Sequence, residues 1–93
     1  MYTPYKLDKT RNLRLSTRAQ VIIEKTLNIK LTKLGQDTIG VNEMMVILWA
    51  GLLHEDSSLT LDKVIDLVDE YSSLEEAAEK IQEAFEASSS KKK

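Results

Sequence analysis

The sequence predicts a mainly α-helical domain, a small bundle of four to five helices around one central apolar helix, with a short β-hairpin at its N-terminus. Apolar residues recur at spacings of three and four through most of the chain, and one run, Met44 to Leu53, has no polar face. Alternating apolar and polar residues occur only near the N-terminus. A chain of 93 residues, 42% apolar and 30% charged, is typical of one small soluble domain.

Residues 1–16 form the first predicted segment, an extended stretch or hairpin. Tyr5 to Leu7 and Leu13 to Leu15 alternate in polarity, as strands do, and the polar sequence DKTRN between them suits a turn. An isolated hairpin is marginally stable in water, so this one must pack on the helices or on another chain.

The helical domain is predicted to cover residues 17–87. Thr17 and Gln20 have the spacing of a capping box, and the helix that follows, over 18–27, is expected to end at Asn28. One further helical turn over 31–34, stopped by Gly35, is predicted before the apolar run.

The central helix is predicted from about Asn42 to Leu53. Because it is apolar on all sides, it must be buried on most of them. Gly51 lets a neighbouring backbone approach closely, at a helix-propensity cost of about 1 kcal/mol.

Two more helices follow the HEDSS loop. Thr60 is expected to cap the first, and its apolar stripe is Leu61, Val64, Ile65, Val68 and Tyr71. Ser72 and Ser73 precede Glu75 and Glu76 by three residues, which predicts a capping box for the second. The apolar stripe of that helix is Leu74, Ala77, Ala78, Ile81, Ala84 and Phe85. Residues 88–93, SSSKKK, are predicted to be a disordered tail. The predicted core comprises Leu48, Trp49, Leu52, Val64, Ile65, Val68, Ile81 and Phe85.

Charge is distributed unevenly along the chain. Residues 1–34 carry eight Lys and Arg against two Asp and Glu, whereas residues 55–87 carry two against eleven. This polarity fits self-association or docking on a basic partner, and it fits solvated helix faces equally well. The absence of cysteine excludes disulfides, Cys-zinc sites and a Cys nucleophile. With no secretory signal, and a longest apolar run half as long as a membrane span, the expected location is the cytosol.

His54, Glu55 and Asp56 are the strongest candidates for a catalytic or metal site. They are adjacent, so their side chains diverge, and neither H-E-x-x-H nor a calcium-loop spacing is present. We interpret them as the end of the central helix and the following turn. No enzyme activity, metal or other cofactor is predicted.

A second function class uses the basic N-terminal segment. Basic residues near Tyr2 and Tyr5 could contact nucleic-acid phosphates; they are Lys6, Lys9, Arg11, Arg14 and Arg18. The acidic C-terminal half would repel DNA, so a nucleic-acid-binding or regulatory module is the alternative interpretation.

The stretches LRLSTRAQVIIEKTLN and LWAGLLHEDSSLTLDKVIDLVDEY resemble the small tail assembly chaperones of long-tailed bacteriophages and related phage-like particles. Four sequence patterns of that family have counterparts here: a Y-K-L-x-L-x-T-R-A start, a helix that ends in IEK-L, a helix that ends in LWAGL-HED, and an LT-E-V sequence. The matching residues are Leu13, Leu15, Thr17, Arg18, Ala19, Ile23, Glu24, Lys25, those from Leu48 to Asp56, Leu59, Thr60 and Val64. The likeness covers nearly the whole chain, from Tyr5 to Phe85.

The resemblance implies a non-enzymatic helper in the host cell cytoplasm that is absent from the finished particle. Such proteins coat the long helical tape measure protein, keep it soluble and help tail tube protein polymerise around it. On this basis Tyr2, Tyr5, Leu13 and Leu15 are predicted to join a neighbouring copy through the hairpin edge. The tape measure protein is predicted to meet Met44, Met45 and the apolar stripe of the last helix, which includes Ile81 and Phe85.

The codons of Lys91 to Lys93 must be rich in A. Genes of the family often end near a slippery site, where a −1 ribosomal frameshift produces a longer form. We therefore hypothesise such a site here, with a longer frameshifted form of the chain as a further partner; a merely solubilising tail is the alternative.

Overall fold

The computed structural model describes residues 3–28 and 40–89, and within them the chain forms an N-terminal β-hairpin and four helices. The elements are β1 (Thr3–Lys6), β2 (Thr10–Leu13), α1 (Thr17–Leu27), α2 (Val41–Leu52), α3 (Leu61–Tyr71) and α4 (Leu74–Ser89). The predicted fold class is confirmed. The predicted turn at 31–34 and its Gly35 cap, together with Tyr2 and Lys91 to Lys93, lie outside the described residues.

α2 is the centre of the domain, as its uninterrupted apolar sequence predicts. It packs against α1, α3, α4 and β2, and its eight buried residues are Met44, Met45, Val46, Ile47, Leu48, Ala50, Gly51 and Leu52. Trp49 is half-buried against this core and donates from Nε1 to the Leu59 carbonyl oxygen, 3.0 Å away. A helix this apolar is stable in water only when it is surrounded in this way.

The hairpin has the predicted faces but different strand limits. Its antiparallel strands pair Tyr5 with Arg11, and the turn occupies residues 7–9 instead of the DKTRN sequence. The cause is Asp8, whose carboxylate accepts from the Lys9 backbone N–H and from Arg11, which closes the turn earlier. Leu13 therefore ends β2, and Leu15 lies beyond it.

The N-terminal cap of α1 differs from the predicted one. Ser16, not Thr17, precedes the helix, and its Oγ accepts from the Ala19 backbone N–H at 3.2 Å. Gln20 is then one position too far for a capping box, and it donates to the Leu15 carbonyl oxygen instead. Asn28 does end the helix, in the left-handed conformation (φ 59°) that asparagine tolerates.

α3 and α4 begin at hydroxyl caps. Thr60 Oγ1 accepts from the Lys63 N–H, as predicted, and Ser73 Oγ accepts from the Glu76 N–H, both at 3.1 Å. The capping box predicted for α4 is incomplete, because the Glu76 carboxylate accepts from Ser72 Oγ and not from the Ser73 backbone N–H. α4 continues to Ser89, two residues past the predicted limit of the domain.

The apolar stripe of α3 is rotated from the predicted one. Val64, Leu67 and Val68 are its buried residues, so Ile65 lies at the edge of the buried face and is 39% exposed. The prediction that Ile65 is a core residue is wrong for this reason. Tyr71 and, on α4, Leu74 are also about half exposed. No helix in the described ranges is both long enough and apolar enough to cross a membrane.

Candidate functional site

Most of the residues predicted to bind partners are buried within the chain. Tyr5 and Leu13 are completely inaccessible, and Leu15, Met45 and Ile81 are each 3% exposed. The inner face of the hairpin packs on α2 and α4, which leaves these side chains no route to another chain. Tyr5, Leu13 and Leu15 are therefore core residues, and pairing of a neighbouring copy with the hairpin edge stays a prediction.

The remaining predicted residues are only slightly more accessible. Met44 is 9% exposed, and Phe85 is half-buried against the core. Met45 and, in the α4 stripe, Leu74 also line the surface groove described below. Tyr2 lies outside the described residues.

Tyr5 ties the hairpin to the junction between α3 and α4. Its hydroxyl lies 2.8 Å from Ser72 Oγ, which also donates to the Glu76 carboxylate at 3.0 Å. Burial raises the pKa of the Tyr5 phenol above its ordinary value, so it stays neutral at physiological pH. Tyr5 thus has a structural role.

The hairpin clasp is the set of contacts that His54 and Glu55 make with Asn12. Glu55 accepts from the Asn12 backbone N–H at 3.1 Å and from its side-chain amide at 2.8 Å, and His54 Nε2 donates to the Asn12 carbonyl oxygen at 2.6 Å. Hydrogen bonds from Asn12 lower the pKa of Glu55. Both side chains are directed at strand β2, which supports the interpretation of this stretch as a turn with a packing role.

Arg11 is the least accessible charged residue of the described chain, at 5% exposure. Its guanidinium makes a two-bond pair with Asp8, with both N···O distances 3.0 Å, and Asp56 lies 3.9 Å away. This pairing holds the pKa of Asp8 below its usual value. The guanidinium of Arg11 is therefore buried and paired within the chain, and it does not belong to an accessible basic patch.

No group of three or more potential metal ligands occurs among residues 3–28 and 40–89. The acidic residues that follow α2 are used locally: Asp56 Oδ1 accepts from the backbone N–H and the hydroxyl of Ser58. These bonds lower the pKa of Asp56.

The principal candidate site is an apolar groove where the start of α2 meets the end of α3 and the start of α4. Its volume is about 460 Å³, within the roughly 300–1,000 Å³ of ligand-binding clefts. The residues that line this groove are Val41, Asn42, Met45, Ile65, Val68, Asp69, Ser72, Ser73 and Leu74.

Three side chains make the groove apolar at the surface. Val41 is 53%, Ile65 39% and Leu74 48% exposed, whereas Met45 and Val68 beneath them are buried. Exposed large apolar residues are individually common, but three that line one concavity over an apolar floor indicate a binding surface.

The sequence pattern did not locate this groove. Ile65 is a predicted core residue, Leu74 belongs to the α4 stripe predicted to meet the tape measure protein, and Val41 precedes the predicted start of α2. The available signal was the width of the α3 stripe: apolar residues at both 64 and 65 and at both 67 and 68 cover more of the helix than one buried face requires.

The described residues thus offer an apolar concavity, an exposed hairpin clasp and a buried, paired arginine. Comparison with protein-family models, with curated proteins and with solved structures found no match to this chain.

Proposed function

We propose that the chain is a non-enzymatic tail assembly chaperone that binds the tape measure protein in the apolar groove. The resemblance in sequence supplies the protein class, and the groove supplies a place for the partner. The observation that carries the proposal is that Val41, Ile65 and Leu74 are exposed together over the floor formed by Met45 and Val68.

A groove of this form suits an amphipathic helix. Such a helix buries apolar side chains at positions i, i+3, i+4 and i+7 in a cleft between other helices. The tape measure protein is expected to be a long helix with an apolar stripe, which aggregates when that stripe faces water. Many chaperone copies, each covering one segment, would keep it soluble in the host cell cytoplasm until tail tube protein replaces them.

Methionine at the groove floor supports this kind of partner. Met45 is unbranched and flexible, so it can adjust to the different side chains along an extended apolar helix. A chaperone that coats a long partner needs tolerance of sequence more than selection of one segment.

The experiment is co-expression with the tape measure protein encoded near the same gene, with the soluble fraction of that protein as readout. Leu74→Ser should lower the soluble fraction, since it removes an apolar wall of the groove. Val21→Ser is the matched control, because Val21 is exposed to the same extent (46% against 48%) but lies on α1, outside the groove.

Each outcome decides the proposal. A soluble tape measure protein with the wild-type chain and with Val21→Ser, but not with Leu74→Ser, supports it. Equal solubility of the tape measure protein with the wild-type chain and both variants would overturn the role of the groove. A tape measure protein that stays insoluble with the wild-type chain would overturn the chaperone function itself.

The alternative is a nucleic-acid-binding module. Of its predicted basic residues, Lys6, Lys9 and Arg18 are exposed, but Arg11 is buried and paired with Asp8. No contact among the described residues favours it. Strong DNA binding that weakens steeply with added salt would restore it. Binding to tail tube protein and to a longer frameshifted form belongs to the same proposal as tape measure binding.

A further inference from the structure

The apolar groove has charge on one side that the proposed function does not use. α3 forms one wall with Ile65, Val68 and Ser72, and Asp69 lies on this wall too. Asp62 lies three residues before Ile65 and Asp66 three residues before Asp69, so helical spacing places both carboxylates beside Asp69 on the exposed face of α3, with Asp66 the farther from the groove.

These three aspartates, the acidic wall (Asp62, Asp66, Asp69), are available to a partner. All three are exposed, and within the described ranges no hydrogen bond or ion pair engages their carboxylates. Elsewhere in the domain, by contrast, Asp8, Glu55 and Asp56 are occupied by Arg11, Asn12 and Ser58.

The opposite side of the groove is formed by the starts of two helices. α2 begins at Val41 and α4 at Leu74, so the N-terminal ends of two helices lie there. The partial positive charge of these N-termini is offset by Glu43, Glu75 and Glu76 in their first turns. The one charged residue that lines the groove is Asp69, on α3.

We propose that the groove selects an amphipathic helix of another protein that carries Lys or Arg along one flank of its apolar stripe, and that this flank lies against the acidic wall. The inference rests on the proposed function and narrows it to one chemistry of partner. Apolar contact supplies the affinity, while the flanking charges set the orientation of the helix and reject acidic ones.

The test uses two synthetic 18-residue helices with the same leucine stripe, one flanked by Lys and the other by Glu, titrated into the full chain with fluorescence anisotropy as readout. The Lys-flanked helix should bind about 3- to 10-fold more tightly at low salt, the range expected for a few exposed charge pairs. This preference should shrink as salt is added.

Two variants assign the preference to the acidic wall. The preference for the Lys-flanked helix should disappear in Asp66→Asn/Asp69→Asn and reverse in Asp66→Lys/Asp69→Lys. Asp62 is left unchanged because it lies in the first turn of α3. The control is Glu79→Gln/Glu83→Gln, an equal change of charge at exposed positions of α4 that do not line the groove, and it should keep the preference.

The outcomes separate this inference from the proposed function. Equal binding of both helices, or a preference that persists in Asp66→Lys/Asp69→Lys, overturns the acidic wall even if the tape measure protein is solubilised. A preference that follows the wall while that protein stays insoluble overturns the chaperone function alone. Concentration-dependent dimerisation that Leu74→Ser abolishes would show a second copy as the occupant and overturn the inference.

Discussion

Gly51→Ala tests the close approach of the hairpin exit to α2. A Cβ at residue 51 would lie 2.5 Å from Leu13 Cδ1, 3.3 Å from Leu15 Cδ2 and 3.4 Å from the Arg14 carbonyl oxygen. The backbone cannot easily withdraw, because the Arg14 N–H donates to the Gly51 carbonyl oxygen at 2.9 Å. Leu13 is completely buried, so its displacement must disturb other core side chains.

Two opposing effects set the magnitude. Alanine stabilises a helix interior by about 0.8–1.0 kcal/mol relative to glycine, and less at residue 51, which is the penultimate residue of α2. Overpacking a core costs about 1–3 kcal/mol. We expect overpacking to prevail, with a net loss of about 1–2 kcal/mol and a Tm lower by about 4–16 °C for a domain of this size.

The assay is thermal and urea unfolding of Gly51→Ala, alone and combined with Leu13→Val. Valine lacks the Cδ atoms of leucine, so the same Gly51→Ala change should be much less destabilising in the Leu13→Val background. A Tm for Gly51→Ala at or above that of the wild type would show that residue 51 has room for a Cβ, and an equal loss in both backgrounds would show that Leu13 is not the obstacle.

Three further predictions concern the clasp and the core. Asp8, Glu55 and Asp56 have lowered pKa values in the folded state, so at mildly acidic pH the folded chain binds fewer protons than the unfolded chain. The stability that these carboxylates contribute at pH 7 should therefore be lost as the pH falls from about 5. A urea midpoint that decreases over this pH range would show the loss. His54→Ala removes one exposed hydrogen bond and should cost about 0.5–1.5 kcal/mol in unfolding while tape measure solubility is unchanged; lost solubility in a folded variant would contradict this. Trp49→Phe should cost about 1 kcal/mol or more through the lost bond to Leu59, and an unchanged unfolding midpoint would contradict it.

The helices were predictable because their signals are local. Caps such as Thr60 and the apolar sequence of α2 need no knowledge of what packs against them. The limits of the hairpin were not predictable from sequence. Asp8 closes the turn by accepting a hydrogen bond from Arg11, but several other positions within DKTRN suit a turn equally well. Ser16 and Thr17 are likewise both good caps in sequence, and the structure uses Ser16.

The candidate site was less predictable than the fold because it depends on which apolar residues remain exposed. Ile65 and Leu67 are equally apolar in sequence, but α2 covers the face of α3 that contains Leu67 and leaves Ile65 at its edge. The groove joins residues from three helices, and among those predicted to meet the tape measure protein it includes Met45 and, in the α4 stripe, Leu74. The role of His54 and Glu55 also needed the fold, since their partner Asn12 is more than 40 residues away.

Binding of the tape measure protein in the groove can be tested by residue-resolved NMR titration of the 15N-labelled chain with a soluble apolar segment of that protein. We expect amide shifts to concentrate at the groove, at Val41, Met45, Ile65, Val68 and Leu74, to vanish in Leu74→Ser and to persist in Val21→Ser. Shifts confined to the hairpin and α1, or no shifts at concentrations that keep the tape measure protein soluble, would contradict it.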